Sequence, residues 1–231
     1  MVVGNGLVAK RFERYKGDDN FLVFASGVSN SKNVIKEEYD REFHLLKETL
    51  ANNINKKLVY FSTCSIYDPA EQNSLYVNFK KDIEHYITNN VERYTIFRGS
   101  NLVGLSQNPN TILNFFSHHI EQGINFSLWM NATRNLIDID DFFAIADYIL
   151  QENIYHNSTV NIANPYSYKV VEIVNAIQAF YNIRATYMPV DKGEPFAINV
   201  DDTLPIIRQL DIKFGESYLF NMLRKYYTHE L

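Results

Sequence analysis

Apolar positions along this chain follow two alternating patterns, short continuous runs and longer repeats with a spacing of three or four. The runs predict buried β-strands at residues 2–3, 21–25, 58–61, 94–98, 125–129 and 159–163. The repeats predict helices over residues 34–51, 76–90, 109–122, 140–151, 170–181 and 216–226. Strands that alternate with helices are typical of a parallel sheet covered on both faces. The pattern therefore predicts an α/β fold, a parallel sheet with helices on both faces, followed by a small α+β lobe.

The clearest helical repeat belongs to the helix predicted over residues 34–51. Its apolar residues recur at intervals of three or four: Ile35, Tyr39, Phe43, Leu46 and Leu50. Ser29 or Ser31 is a candidate cap for the start of this helix, and Asp140 is a candidate cap for the later helix at residues 140–151. A short polar side chain at either start would satisfy backbone N–H groups that the first helical turn leaves unpaired.

Composition limits the classes of protein to which this chain can belong. It has 231 residues, of which 46% are hydrophobic, enough for one sizeable core. The formal net charge of −5 argues against nucleic acid as the main partner. No apolar run approaches the length of a membrane span, and the first residues lack the pattern of a signal peptide. The single cysteine, Cys64, excludes an internal disulfide and fits a reducing compartment, so we expect a cytoplasmic protein.

The segment from Leu58 to Lys80 carries a combination of side chains that can do chemistry. Its strand ends in small polar residues, and Tyr76 and Lys80 follow four residues apart on the next helix. That spacing places both on one helix face, where an ammonium group favours the phenolate and lowers the pKa of the tyrosine. A hydroxyl at the strand end can hold a substrate oxygen while the tyrosine exchanges a proton with it. The alternative is a core tyrosine beside a solvated lysine, with Cys64 either a reactive thiol or a small buried hydrophobic residue.

A glycine-rich turn lies at the start of the chain. Gly4 and Gly6 separate a very short strand from a helix start, and Ala9 completes a degenerate form of the dinucleotide-binding pattern. Glycine lets the backbone approach a pyrophosphate closely, and the helix dipole favours its negative charge. Four basic residues follow, and they either form the solvated face of the first helix or meet a phosphate: Lys10, Arg11, Arg14 and Lys16.

The residues from Ser62 to Tyr67 and from Tyr76 to Lys80 resemble the extended branch of the short-chain dehydrogenase/reductase family, which contains nucleotide-sugar epimerases, dehydratases and reductases. That family has a strand ending in Ser or Thr, then small residues and a tyrosine, and later Tyr-x-x-x-Lys opening a helix. The resemblance implies a shortened Rossmann-like sheet and NAD or NADP as cofactor. It assigns catalysis to Thr63, Tyr76 and Lys80. It assigns cofactor binding to the glycine turn, the end of the second strand and the lysine: Gly4, Asn5, Gly6, Leu7, Val8, Ala25, Ser26 and Lys80.

Two later segments extend the resemblance over nearly the whole chain. Residues 98–104 match the family's Arg-x-x-Asn-Val-x-Gly, and residues 134–141 match its Arg-x-Phe/Tyr-Ile-x-Val-x-Asp. The resemblance assigns substrate binding to Ser65, Asn101 and Arg134, with the arginine holding a substrate phosphate. The plainer alternative makes the asparagine a turn former. The implied division is a nucleotide-binding domain of residues 1–102 and 136–162, and a smaller substrate-binding lobe of residues 103–135 and 163–231.

The chain departs from the family's pattern in two places. The predicted strand at residues 21–25 ends in Ser26-Gly27 and matches the family's fourth strand, so the usual second strand, second helix and third strand are missing. The acid that normally holds the adenosine ribose is missing with them. The dehydratases of the family follow the strand-end hydroxyl with Asp-Glu, whereas Cys64 and Ser65 take those places here.

Two functional hypotheses follow. The first is an NAD(P)-dependent oxidoreductase or epimerase acting on a nucleotide-linked sugar, with ketoreduction or epimerisation favoured over dehydration and Tyr76 moving the proton. The second is a non-catalytic relative that binds a nucleotide or regulates a partner. Family dimers form through paired helices, so the helix with Tyr39 and Phe43 is a candidate homodimer face. No metal is predicted, because His118 and His119 point different ways on a helix and no further ligand lies at metal-site spacing.

Overall fold

The computed structural model describes residues 1–28 and 32–228, which form eleven β-strands, eight α-helices and two 3₁₀ turns. The strands are β1 (Val2–Val3), β2 (Phe21–Phe24), β3 (Lys57–Thr63), β4 (Tyr94–Gly99), β5 (Asn101–Val103), β6 (Phe126–Trp129), β7 (Thr133–Arg134), β8 (Leu136–Asp138), β9 (Ser158–Ile162), β10 (Tyr168–Lys169) and β11 (Tyr187–Val190). The helices are α1 (Leu7–Arg11), α2 (Lys36–Ala51), α3 (Leu75–Asn90), α4 (Ile112–Glu121), α5 (Ile139–Gln151), α6 (Val170–Tyr181), α7 (Leu204–Gln209) and α8 (Tyr218–Tyr226). The 3₁₀ turns are Glu13–Tyr15 and Cys64–Tyr67.

A five-stranded sheet forms the centre of the molecule. Its order is β1-β2-β3-β4-β9, and each neighbouring pair is parallel. Because both faces of such a sheet are covered, little of its strands reaches solvent, and six of the seven residues of β3 are buried. The α/β prediction is confirmed. β1 pairs directly with β2, as expected for a sheet that lacks the family's second and third strands.

Helices pack on both faces of this sheet. On one face, Val59 of β3 and Phe97 of β4 belong to an apolar core with Phe142 of α5, and α1 and α7 lie on the same side. On the other face, Tyr60 packs in a core with Leu46 of α2 and with residues of α3. The period-two alternation of side chains along each strand produces these two cores.

A third apolar core lies beyond the sheet. It is built from α4, α6 and α8 with the parallel pair β6 and β11. Two further strand pairs, β5 with β8 and β7 with β10, connect this region to the sheet. Ile206 and Ile207 of α7 fall within the predicted lobe but pack in the core that includes α5. The predicted division into a domain and a lobe stays a prediction.

Most predicted element ends agree with the structure to within a few residues, and α6 has the predicted bounds. The predicted cap of α5 is wrong. Asp138 is the N-cap, and its Oδ1 accepts the backbone N–H of Asp140 at 2.8 Å. The candidate caps Ser29 and Ser31 lie outside the described residues. Among residues 1–28 and 32–228, no helix is both long enough and apolar enough to cross a membrane.

Candidate active site

The carboxyl ends of β1 to β4 meet at one edge of the central sheet. Gly4 follows β1, Ala25 and Ser26 follow β2, and Thr63 ends β3. Open parallel sheets bind ligands in the crevice outside the carboxyl ends of their strands. The segments predicted from the sequence to bind the cofactor and to carry catalysis therefore share one edge of the sheet.

The glycine turn contacts the predicted cofactor loop. Gly4 has a φ of +120°, and a Cβ atom there would lie 2.5 Å from the carbonyl oxygen of Ala25. Ala25 also donates its N–H to the carbonyl oxygen of Val3 at 2.8 Å. Both conformation and close approach therefore require glycine at this position. Gly4 therefore packs against the Ala25–Ser26 backbone. The part of the turn that could contact a ligand is formed by the residues after Gly4.

Gly6 borders open space. It is the N-cap of α1, and a Cβ atom there would have no neighbour within 4 Å. Gly6, Leu7 and Lys10 line a cavity of about 560 Å³ together with residues 105–107. An open glycine backbone with a lysine at the cavity wall suits the pyrophosphate of a dinucleotide. Of the other turn residues, Asn5 is exposed and Val8 is half-buried.

The strand-end hydroxyls are hydrogen-bonded to each other. Thr63 caps the 3₁₀ turn Cys64–Tyr67, since its Oγ1 accepts the N–H of Ser65 at 3.0 Å. The same hydroxyl donates to Ser65 Oγ at 3.0 Å. Thr63 is buried, whereas Ser65 is half-buried. Ser65 is thus the more exposed member of the pair, and the hydrogen bond from Thr63 helps to fix the position of its hydroxyl.

Cys64 belongs to the core. Its side chain is 2% exposed and its Sγ donates to the carbonyl oxygen of Arg98 at 3.2 Å. Burial raises the pKa of the Cys64 thiol to about 12. This thiol therefore lacks the thiolate character that a reactive cysteine needs.

Tyr76 and Lys80 share one face of α3. The helix begins after Ser74, whose Oγ accepts the N–H of Val77 at 3.2 Å. Tyr76, in the first turn, is half-buried. The Nζ atom of Lys80 lies 6.0 Å from the centre of the Tyr76 ring. The predicted shared face is therefore present, but Lys80 makes its hydrogen bonds to residues other than Tyr76.

The partners of Lys80 are Glu42 and Tyr60. Lys80 Nζ donates to Glu42 Oε1 at 2.9 Å and to Tyr60 OH at 2.9 Å. All three side chains are buried. Burial lowers the pKa of Lys80, but Tyr60 and Glu42 outweigh that effect and hold this pKa above its ordinary value. The lysine is thus a fixed cation.

Sequence reasoning missed Glu42. It lies on the buried face of α2, which also carries Tyr39 and Leu46. A carboxylate on an apolar helical stripe must find a partner when the helix packs, because an unpaired buried charge is costly. Its place on that stripe, three residues after Tyr39, was the signal that could have found it.

The predicted substrate-side residues contact backbone and acid groups of the chain. Asn101 is exposed, and its Nδ2 donates to the carbonyl oxygen of Asn135 at 2.8 Å. Arg134 is half-buried, and its Nη1 lies 3.4 Å from Asp68 Oδ2. Asp68 directly follows the 3₁₀ turn of the strand-end hydroxyls. Arg134 is therefore connected to the segment that carries Ser65.

Two other expectations concern the basic residues of the first helix and a metal site. Arg11 and Arg14 form ion pairs with Asp140 and Asp147 of α5, which leaves Lys10 as the basic residue beside Gly6. In the part of the chain that the structure describes, no group of three or more His, Cys, Asp or Glu side chains could hold a metal.

The helix proposed as a dimer face packs within its own chain. Tyr39 of α2 is buried against Phe79 of α3, and Phe43 stacks edge-to-face on Tyr86 of the same helix. Tyr39 is thus committed to packing within the chain, whereas Phe43 stays half-buried. The candidate dimer face and the oligomeric state stay predictions.

The comparison with family models gives one match. The model of the NAD dependent epimerase/dehydratase family matches residues 24–163, more than half of the chain. The matched range includes all three predicted catalytic residues together with Asn101 and Arg134, and it begins after the glycine turn. A comparison with curated protein sequences finds none that matches.

Solved structures share this fold at low sequence identity. UDP-glucose 4-epimerase of Thermus thermophilus, in complex with NAD, is 14% identical with a TM-score of 0.71, over 97% of this chain and 82% of that one. Epimerase Mth375 of Methanothermobacter thermautotrophicus is 14% identical with a TM-score of 0.72, over 96% and 76%. RMD of Pseudomonas aeruginosa, complexed with NADPH, is 12% identical with a TM-score of 0.69, over 89% and 79%.

Proposed function

The chain belongs to the NAD dependent epimerase/dehydratase family, and from that premise we propose that it is an NAD(P)-dependent oxidoreductase or epimerase acting on a nucleotide-linked sugar. In this proposal Tyr76 exchanges a proton with a sugar oxygen. The cytoplasm is the proposed compartment. The observation that carries the proposal is the common edge shared by the open glycine turn, the hydroxyl pair of Thr63 and Ser65, and the face of Tyr76 and Lys80.

The glycine turn and the loop after β2 would hold the cofactor. The open space before Gly6 and the lysine in the cavity wall suit a pyrophosphate, with Gly4, Asn5, Leu7 and Val8 completing the turn. Ala25 and Ser26 lie against Gly4 and would contact the same ligand. The Thermus epimerase is in complex with NAD, and RMD with NADPH, which supports a nicotinamide dinucleotide here. The bound nicotinamide would supply the hydride acceptor or donor.

The chain's own residues would position the substrate and move its proton. The Ser65 hydroxyl, held by Thr63, would donate a hydrogen bond to the sugar oxygen and polarise its carbon. Tyr76 would give that oxygen a proton in one direction and remove it in the other. Lys80, a fixed cation one helical turn away, would stabilise the phenolate and hold the ribose with its remaining N–H donor. Asn101 and Arg134 would bind the nucleotide part of the substrate, the arginine through a phosphate.

Ketoreduction or epimerisation is favoured over dehydration. Elimination of water from a sugar needs an acid and a base in addition to the tyrosine, and the dehydratases place Asp-Glu after the strand-end hydroxyl. Here the corresponding residues are Cys64, a buried thiol whose Sγ donates to a carbonyl oxygen, and Ser65. Neither can serve as that acid pair. The experiment is a panel of nucleotide-linked 4-keto sugars and their reduced and epimeric forms, incubated with NADH, NADPH or NAD and analysed for product.

A non-catalytic nucleotide-binding or regulatory role is the second candidate. The observation that favours it is that the family match begins at residue 24, beyond the glycine turn, in a chain that also lacks the ribose-binding acid. Titration of the purified chain with NADH and NADPH separates the candidates. Absence of binding would rule out the oxidoreductase, whereas binding without turnover of any sugar nucleotide would favour regulation.

A further inference from the structure

Glu42 of α2 is a buried carboxylate that accepts three hydrogen bonds from different parts of the fold. Its Oε1 accepts from Lys80 Nζ at 2.9 Å and from Tyr60 OH at 3.2 Å. Its Oε2 accepts from the backbone N–H of Val28 at 2.9 Å. The side chain of Glu42 is only 4% exposed. One side chain thus joins α2, β3, α3 and the loop that follows β2.

The loop after β2 lies directly against the Glu42–Lys80 ion pair. A Cβ atom on Gly27 would lie 3.2 Å from Glu42 Oε1 and 3.3 Å from Lys80 Nζ. Both approaches are tighter than an ordinary contact, and both charged atoms are already fixed by hydrogen bonds. This loop begins with Ala25 and Ser26, the predicted cofactor segment. The loop and the ion pair are therefore in direct contact, and a side chain added at Gly27 would press on the ion pair.

Lys80 keeps one N–H donor after its fixed partners are counted. An ammonium group has three donors, and Glu42 and Tyr60 take two of them. Among the described residues no partner takes the third. Because two partners fix the direction of the Nζ atom, the direction of this third N–H is fixed as well.

We infer that Glu42 is a positioning residue, which holds the loop after β2 and Lys80 in one arrangement so that the remaining N–H of Lys80 meets the bound dinucleotide. The inference rests on the proposed function. This role differs from packing. The carboxylate of Glu42 would act by holding Lys80 and by accepting the N–H of Val28. Both connections depend on its charge and on both of its oxygens.

The charge of Glu42 also helps to keep Lys80 protonated. The titratable groups that face Lys80 are Tyr39 and Glu42 from α2, Tyr60 from β3 and Tyr76 from its own helix. Among the described residues, Glu42 is the one carboxylate in this set. Without it, burial of the ammonium is compensated less completely, through Tyr60 and Tyr76 alone, and the pKa of Lys80 falls. Dinucleotide binding should then be lost at a lower pH than in the wild type.

Fluorescence titration with NADH and NADPH between pH 6 and 10 tests the inference on Glu42→Gln, with Glu48→Gln on the exposed side of α2 as the matched control. We expect Glu42→Gln to weaken binding at least about tenfold, or about 1.4 kcal/mol, and to shift the alkaline loss of binding to lower pH. Glu48→Gln should bind as the wild type does. The double variant Glu42→Gln/Lys80→Gln should regain melting temperature through a neutral amide pair and still bind poorly.

Gly27→Ala supplies a second test if Glu42→Gln does not fold. It adds one methyl group against the ion pair, so it should weaken binding while the melting temperature changes little. Wild-type affinity in both folded variants, with an unchanged pH profile, overturns the inference and leaves the proposed function standing. Recovery of affinity in the double variant would also overturn it, because packing alone would then explain Glu42. A wild-type chain that binds neither dinucleotide overturns the inference and the proposed function together.

Discussion

Arg134 of β7 contacts Asp68 beyond the end of β3, with its Nη1 atom 3.4 Å from Oδ2. The same Nη1 donates to the carbonyl oxygen of Thr133 at 2.7 Å. A distance of 3.4 Å is long for a charge-assisted hydrogen bond. Within residues 1–28 and 32–228, the Nε and Nη2 atoms of this arginine have no hydrogen-bond partner. The guanidinium is thus oriented by Asp68 and retains the donors that a phosphate requires.

The first prediction concerns that guanidinium. Arg134→Lys replaces a planar fork by a point charge, so affinity for the sugar nucleotide should fall about tenfold or more while dinucleotide affinity hardly changes. Isothermal titration with both ligands measures this. Arg14→Lys, at an arginine that pairs with Asp147, is the matched control and should leave both affinities unchanged. Equal losses for both ligands, or a large fall in melting temperature, would identify Arg134 as structural.

The second prediction concerns the proton donor. Tyr76→Phe removes one oxygen and keeps the ring, so the helix should pack as before and turnover should fall roughly 10²–10⁴-fold. Dinucleotide affinity should stay within about twofold, since the lysine and the glycine turn are untouched. Tyr86→Phe, on the same helix, is the control. Steady-state rates on an active sugar nucleotide decide the outcome, and a wild-type rate for Tyr76→Phe excludes the proposed role.

The third prediction concerns the hydroxyl pair. Ser65→Ala removes the more exposed hydroxyl of the pair. Thr63→Val removes the hydroxyl that donates to Ser65 and that caps the 3₁₀ turn. Loss of the cap should cost about 1 kcal/mol of stability. Both variants should slow turnover less than Tyr76→Phe does. Combining either with Tyr76→Phe should give less than the sum of the two losses, because Ser65 and Tyr76 act on one oxygen and Thr63 acts through Ser65. Strict additivity would show that the hydroxyls and Tyr76 act at separate places.

The fourth prediction concerns cofactor choice. No acid stands at the expected ribose position to repel a 2′-phosphate, and Lys10 lines the cavity beside Gly6. Discrimination against NADP(H) should therefore be less than about tenfold, or about 1.4 kcal/mol. Lys10→Gln should weaken NADPH binding more than NADH binding, with Lys16→Gln as the control. A strong preference of the wild type for NADH would show that another acid reaches the ribose.

The fifth prediction concerns stability and pH. Burial raises the pKa of Asp140, but Lys225 and Arg11 outweigh it and hold this pKa below its ordinary value. The folded state then binds fewer protons, so the contribution of Asp140 is present above the unfolded pKa of about 3.9 and is lost as pH falls through the folded pKa. Urea unfolding should show Asp140→Asn less stable than the wild type at pH 7. That difference should shrink as the pH falls below the unfolded pKa and through the folded one, and a difference that is constant with pH would contradict the prediction.

The fold could be predicted because short apolar runs mark its central strands in the sequence. The run at residues 58–61 is apolar at every position and the run at residues 94–98 at most positions, as strands covered on both faces require, and they correspond to β3 and β4. The shared face of Tyr76 and Lys80 follows from helical spacing alone, so it too could be predicted. The spacing of an amphipathic repeat likewise gave the bounds of α6.

What could not be predicted depends on contacts between residues far apart in sequence. Lys80 takes its partner from 38 residues earlier in the chain, and no local pattern indicates that Glu42 crosses to it. The cap of α5 was missed for a different reason. Asp138 is both the last residue of β8 and the cap of α5. A strand residue is not where a helix cap is normally expected, so the sequence favoured Asp140.

The burial of Cys64 makes the single thiol of this protein a reporter of motion at the strand end. Cys64 is 2% exposed and burial raises the pKa of its thiol, so we expect it to be protected from an alkylating reagent in the native state. Labelling must wait until the segment next to Thr63 opens, so its rate measures the free energy of that opening. A ligand bound at this edge of the sheet would slow the labelling. The natural sequence thus contains one chemical probe, adjacent to the proposed catalytic hydroxyl, that requires no substitution.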